Sequence, residues 1–297
     1  MILGVNNQVY TLESVRRLID LKKWIRMPIR NLIHPKPDVW DFSFLDVLVP
    51  FLGANGIPIL GLIEYSGKWA HDPTKPWFPS QPMPSQYDDF LKFVFTVVER
   101  CPTVMHWQVL NEPNRAAFWP PAPDVREYIG VLKVGYRAIK VANPFAKVVI
   151  AGTSGIDVEW YKKLYAMDAM GFFDIAAVHS YNFTNNKTIT GELNALSRLR
   201  SVMTANGDKS DVWLTEIGWN MDEMSEETQA ILLSRTIVDL TKRDYVGGAF
   251  IYKLMDTPGS HFGLLDGEGN PRTAYSTFVG MNGMDRSIWN MGLVGDY

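Results

Sequence analysis

Two glutamates close apolar runs in this chain. One lies in Trp107-Gln108-Val109-Leu110-Asn111-Glu112-Pro113-Asn114, the other in Val212-Trp213-Leu214-Thr215-Glu216-Ile217-Gly218-Trp219. In each, a stretch of strand length delivers a carboxylate to its C-terminal end. Pro113 has no N–H to give to a ladder and helps end the first run. Two facing carboxyls can divide labour: one stays protonated to give its proton to a leaving oxygen, the other stays ionised to attack or to stabilise an oxocarbenium-like centre. That is the requirement of glycoside hydrolysis, with the carboxyls about 5–5.5 Å apart for retention of configuration and roughly 6.5–9.5 Å apart for inversion.

Other chemistries have little support. There is no His-Glu-X-X-His pattern, and His34, His71, His106, His179 and His261 are scattered, so no metal site is expected. No Gly-X-Ser-X-Gly elbow occurs, and no cofactor is expected. Cys101 is the only cysteine, which excludes an intrachain disulfide and a multi-cysteine zinc site and reads as a buried, inert thiol. The net charge is -3, from 29 basic and 32 acidic residues that are interspersed, so there is no nucleic-acid footprint.

The elements that would hold the glutamates follow from an alternation of apolar strand-length runs with amphipathic helix-length stretches. Strands are expected at 2–6, 24–30, 57–65, 104–110, 147–151, 173–180, 212–215 and 248–254. Helices are expected at 12–23, 44–54, 85–100, 124–142, 158–167, 192–205, 226–243 and 273–280, with Thr11 and Ser43 as caps of the first two. Eight strands each followed by a helix predict one α/β domain, a single (β/α)8 TIM barrel. An open doubly wound sheet is the alternative, but its glycine-rich loop is missing after the first strand. The barrel is assigned to residues 1–284, with a tail at 285–297. Glu216 follows Glu112 by 104 residues, about three βα units, which puts the pair on strands four and seven. In such barrels the active site is built at the C-terminal ends of the strands.

Proline-rich, aromatic loops follow strands three and four and carry Trp69, Trp77 and Trp119. As a set they suggest stacking on sugar rings; each alone is as well explained by packing. No stretch of about 18 apolar residues suits a membrane span. The start, Met1-Ile2-Leu3-Gly4-Val5, runs straight into a strand without a charged n-region. Localisation is therefore open: cytoplasmic if Met1 is the native start, secreted or periplasmic if a leader has been removed.

Asn-Glu-Pro ending strand four with Thr-Glu-Ile-Gly-Trp ending strand seven resembles clan A of the glycoside hydrolases. Asn111-Glu112-Pro113-Asn114, with the later His179-Ser180-Tyr181, most resembles family 39, including its bacterial exopolysaccharide-degrading members; families 5 and 51 are near alternatives. The resemblance covers roughly residues 2 to 280. It implies a retaining double displacement with Glu112 as acid/base and Glu216 as nucleophile. Arg26 is similar to the clan's strand-two arginine, which would keep Glu216 ionised. Asn111 would bond the sugar 2-hydroxyl, His179 and Tyr181 would bind sugar and orient the nucleophile, and Trp219 and Tyr252 would wall the subsite of the attacked sugar.

This chain departs from the pattern at two places. Leu110 stands where relatives often carry Trp before Asn-Glu-Pro, and Tyr252 stands near the strand-eight Trp of many relatives, which bears on the sugar preferred. The β-sandwich of many family 39 xylosidases has no counterpart. The expectation is a retaining β-glycosidase, endo-acting on a polysaccharide or oligosaccharide substrate. An exo-acting β-xylosidase-like enzyme, a transglycosylase and a carbohydrate-binding pseudoenzyme are the alternatives; the presence of both glutamates argues against the last.

Overall fold

The structure is a computed structural model that describes residues 1–8, 10–29, 39–64 and 86–281. Trp69, Trp77, His34, His71 and the 285–297 tail lie outside them. The order is β1 (Ile2–Asn6), α1 (Leu12–Leu21), β2 (Trp24–Ile29), α2 (Ser43–Ala54), β3 (Ile59–Ile63), α3 (Tyr87–Arg100), β4 (His106–Val109), α4 (Val125–Ala142), β5 (Lys147–Val149), α5 (Val158–Ala166), β6 (Ala176–Ser180), α6 (Asn186–Ala205), β7 (Val212–Ile217), α7 (Glu226–Thr241), β8 (Val246–Ile251) and α8 (Thr273–Gly280). The strands are all parallel, in the order β5-β4-β3-β2-β1-β8-β7-β6.

The sheet closes on itself between β5 and β6. There the ladder thins to isolated parallel bridges, Val149 with Ile175 and Thr153 with Val178. Backbone bonds stitch the seam: Asp174 N–H donates to Val148 O at 2.8 Å, Ile150 N–H to Ile175 O at 3.0 Å, and His179 N–H to Thr153 O at 2.8 Å. The expected (β/α)8 barrel is therefore the observed fold.

Strands covered on both faces should be apolar along their whole length, and β3, β6 and β7 are buried at every residue. Helices begin where a side-chain oxygen can satisfy a free amide of the first turn. Thr11, Asp124, Asp157 and Ser225 do this for α1, α4, α5 and α7. Ser43 was expected to cap α2, but it is the first helical residue; Asp41 Oδ1 accepts its N–H at 3.0 Å instead. The helix expected from 192 starts at Asn186, because Asn185 and Thr188 form a reciprocal capping box. Thr188, Ile189, Thr190 and Gly191 are weak helix formers, so composition hid that first stretch.

Large rings fill the barrel interior. The His106 ring stacks on Trp213 at 5.3 Å, and Trp24 meets both edge-on at 4.9 and 5.8 Å. Burial, reinforced by the charge of Lys147, pushes His106 down to about 4, so it packs as a neutral ring. On the opposite face of β4, Trp107 fits because residue 61 is glycine: a Cβ there would lie 2.5 Å from its ring atoms.

Candidate active site

At the C-terminal ends of the strands the interior turns from rings to hydrogen bonds. Arg26 rises from β2 and is 3% exposed. An isolated guanidinium at such depth would be prohibitively costly, but this one meets four acceptors. Nε donates to Gln108 Oε1 at 2.7 Å, Nη1 to Asn6 Oδ1 at 2.8 Å and to Glu216 Oε1 at 2.6 Å, and Nη2 to Asn111 Oδ1 at 2.7 Å. Those partners are themselves held. Asn6 donates to Thr215 O, and Gln108 Nε2 to Ile150 O and Thr215 Oγ1. Four strands, the residue following β5 and the loop after β4 are thereby tied to one cation.

Glu216 sits within β7, which runs on to Ile217 instead of ending at 215. Its Oε1 takes Arg26, and its Oε2 accepts a short hydrogen bond from the Tyr181 hydroxyl. Burial by itself pushes this carboxyl up. The electrostatic influence of His179, then the charge of Arg26, with the hydrogen bonds from Tyr181 and Arg26, outweighs burial and holds Glu216 below the ordinary glutamate value of 4.5. The opposite shift falls on Tyr181: burial first, then the charge of Glu216, raises its phenol well above 10.0, so it remains a donor.

Glu112 is presented differently. The chain leaves β4 through two residues in the left-handed region, Leu110 at φ 66° and Glu112 at φ 42°. Side chains rarely adopt this conformation, and such positions concentrate at functional sites. Glu112 N–H donates to Gly152 O at 3.0 Å, which pins the turn to the end of β5. Its Oε1 lies 2.8 Å from His179 Nδ1, and its Oε2 lies 3.3 Å from Arg115 Nη1. The His179 Nδ1 atom is also 3.6 Å from Glu216 Oε2, and Nε2 is 3.1 Å from Thr215 Oγ1.

Both glutamates open on a cavity of about 520 Å³ whose lining includes Arg26, Asn111, Arg115, Phe118, Tyr181, Tyr252 and Phe262. Tyr181, Tyr252 and Phe262 form a three-ring wall with centroids 5.6–5.9 Å apart and edges to faces. Tyr252 follows β8, which ends at Ile251, short of the expected 254, and the Tyr252–Lys253 bond is cis.

Of the residues singled out in the sequence, Glu112, Glu216, Arg26, Asn111, Tyr181 and Tyr252 meet at this cavity. Two stand elsewhere. His179 is 0% exposed and off the cavity lining, with Nδ1 turned to Glu112 Oε1 instead of to the cavity. Trp219 is also buried off the lining, with its indole N–H given to Phe183 O at 2.7 Å, because the chain turns it behind β7; it is not a subsite wall. Trp119 is likewise a packing residue, 2% exposed and donating to Glu127 Oε2 at 2.9 Å.

Asn6, Gln108, Thr215, Gly152, Arg115 and Phe262 were not anticipated. Asn6 and Gln108 carried one signal, an amide inside an otherwise apolar strand. Among the described residues, Glu112, His179 and Glu216 are the one group of His, Cys, Asp or Glu side chains close enough to share an ion, with ligand atoms within 4.8 Å of one another. Arg26 already supplies positive charge to that group.

The family described as glycosyl hydrolase catalytic core matches residues 87–278. Among solved structures, a family 39 glycoside hydrolase from the gut symbiont Bacteroides cellulosilyticus WH2 shares 23% identity with a TM-score of 0.76, over 93% of this chain and 62% of its own. This chain thus spans less than two thirds of that protein's length. A monomeric β-xylosidase from Caulobacter crescentus CB15 shares 19% at a TM-score of 0.74, over 95% of this chain and 68% of its own. Xylanase 10B from Thermotoga maritima shares 16% at 0.69, over 94% and 93%. These likenesses show the barrel fold. No curated protein sequence matches the chain.

Proposed function

Because the chain belongs to the glycosyl hydrolase catalytic-core family, we propose that it cleaves a β-glycoside with retention, Glu216 attacking the anomeric carbon and Glu112 serving as acid and then base. The observation that carries this reading is the pair itself. A carboxylate oxygen of Glu112 and one of Glu216 lie within 4.8 Å of each other, an approach that suits the close pairing of carboxyls, about 5–5.5 Å, used for retention.

The environments support the division of roles. Glu216 is held ionised by a buried arginine and a tyrosine hydroxyl, as a nucleophile must be. Attack on the anomeric carbon breaks its bond to the leaving oxygen, which takes the proton of Glu112; the sugar is then an ester of Glu216. Water enters from the leaving-group side, gives a proton to Glu112 and displaces the ester. Tyr181 would release its bond to Glu216 Oε2 as that oxygen's charge is consumed and restore it as the carboxylate returns. Asn111, fixed by Arg26 through its amide oxygen, has its amide N–H2 to offer a sugar hydroxyl.

Glu216→Gln is nearly isosteric and still accepts Arg26 through its amide oxygen, but it cannot form the ester. Turnover of an activated aryl β-glycoside is expected to fall by about 10⁴-fold or more in a protein that keeps its native circular dichroism. Proton NMR of the sugar released by the wild type should show the β-anomer first. Wild-type-like turnover in the variant, or the α-anomer appearing first, would refute the assignment.

A further inference from the structure

The loop after β4 places a cation against the acid/base. Arg115 lines the cavity and its side chain is 54% exposed; its Nη1 lies 3.3 Å from Glu112 Oε2. The contact is long for a charge-assisted bond and engages one nitrogen, whereas guanidinium suits paired bonds to one anion. The guanidinium carbon lies 5.8 Å from the centroid of Phe118, which lines the same cavity.

The loop that carries them is fixed. Arg115 N–H donates to Glu112 O at 3.1 Å, and Phe118 and Trp119 both return their N–H groups to Arg115 O. Asn114 is held by Ser154 O and Asp157 Oδ2, each at 3.0 Å. A charged group and a ring thus stand on a fixed backbone on the Glu112 side, where the leaving group must lie.

We propose that this side of the cavity recognises an acidic sugar, with Arg115 pairing a carboxylate or sulfate oxygen of the leaving unit and Phe118 packing on its ring. The inference rests on the reading of Glu112 as the acid.

The test uses binding, so that it stands apart from turnover. Affinities of D-glucuronate, D-glucose 6-sulfate and D-glucose are measured by calorimetry on the wild type and on Arg115→Met. At least one anion should bind the wild type about ten- to a hundredfold tighter than glucose, the anion that does so identifying the carboxylate or sulfate source, and the advantage should vanish in Arg115→Met. No advantage over glucose, or one that survives the substitution, overturns the proposal. If Glu216→Gln is inactive while the anions show no advantage, only this inference fails. If Glu216→Gln remains active, the underlying catalytic reading fails instead.

Discussion

Arg26 shows how much chemistry one buried side chain can organise. Its four acceptors, Gln108, Asn6, Glu216 and Asn111, are each satisfied by it. Arg26→Met removes the charge and leaves those acceptors buried without that donor, which costs several kcal/mol at such sites. Proton affinity at Glu216 then rises. The acid limb of kcat/KM should therefore move to higher pH, and activity at neutral pH should fall by about 10²-fold or more; a pH–rate profile reads both. An acid limb that stays in place would show that Arg26 does not set the charge of Glu216. The same lowered pKa has a stability consequence. Ionised Glu216 favours the folded state above the ordinary value of 4.5, and this contribution fades as pH falls through the lowered one. In Arg26→Met that pH dependence should shrink.

At the scale of elements, the site depends on how closely β5, β6 and β7 approach. Gly152, just beyond β5, faces His179 and Thr215: a Cβ there would overlap His179 Nε2 and lie 2.7 Å from Thr215 Oγ1. Its carbonyl also anchors the amide of Glu112. Gly152→Ala must displace the His179 ring, and with it the group that orients the acid/base. The expected result is a folded protein with kcat reduced by about 10–10²-fold and KM for an aryl glycoside changed far less, read by steady-state kinetics beside circular dichroism. Unchanged kcat would mean that His179 does not act through Glu112. Elsewhere the elements were set locally. The helices at 12–21 and 226–241 begin at their Thr11 and Ser225 caps, whereas α6 began early because a capping box overrode weak propensity.

For the whole molecule, the weak line is the β5–β6 seam. Asp174 reinforces it: Oδ2 accepts the Val148 N–H at 2.7 Å and pairs with Lys140 Nζ at 2.9 Å, with Lys147 at 3.8 Å from Oδ1. Asp174→Ala should lower unfolding free energy by about 1–3 kcal/mol, measured by urea denaturation, with kcat/KM little changed because the residue is remote from the cavity. Equal stability would place the closure on backbone bonds alone. No helix among the described residues is long and apolar enough to cross a membrane.

The sequence by itself determined the alternation of strands and helices, hence the barrel, and it put Glu112 and Glu216 at the mouth of two strands. Those features are local: hydrophobic period, caps and strand-ending residues act over a few positions. Arg26 was also legible, since a charge inside an apolar strand demands a partner. Only the tertiary structure decided which residues complete the site. Asn6, Gln108 and Thr215 lie far apart in the sequence and become a network because barrel closure brings β1, β4 and β7 around one guanidinium. His179 and Trp219 carry the same signal as true cavity residues, a polar or aromatic side chain near a strand end. Whether such a side chain faces the sugar or the packing behind it depends on strand tilt and on neighbours about a hundred residues away, which no local pattern contains.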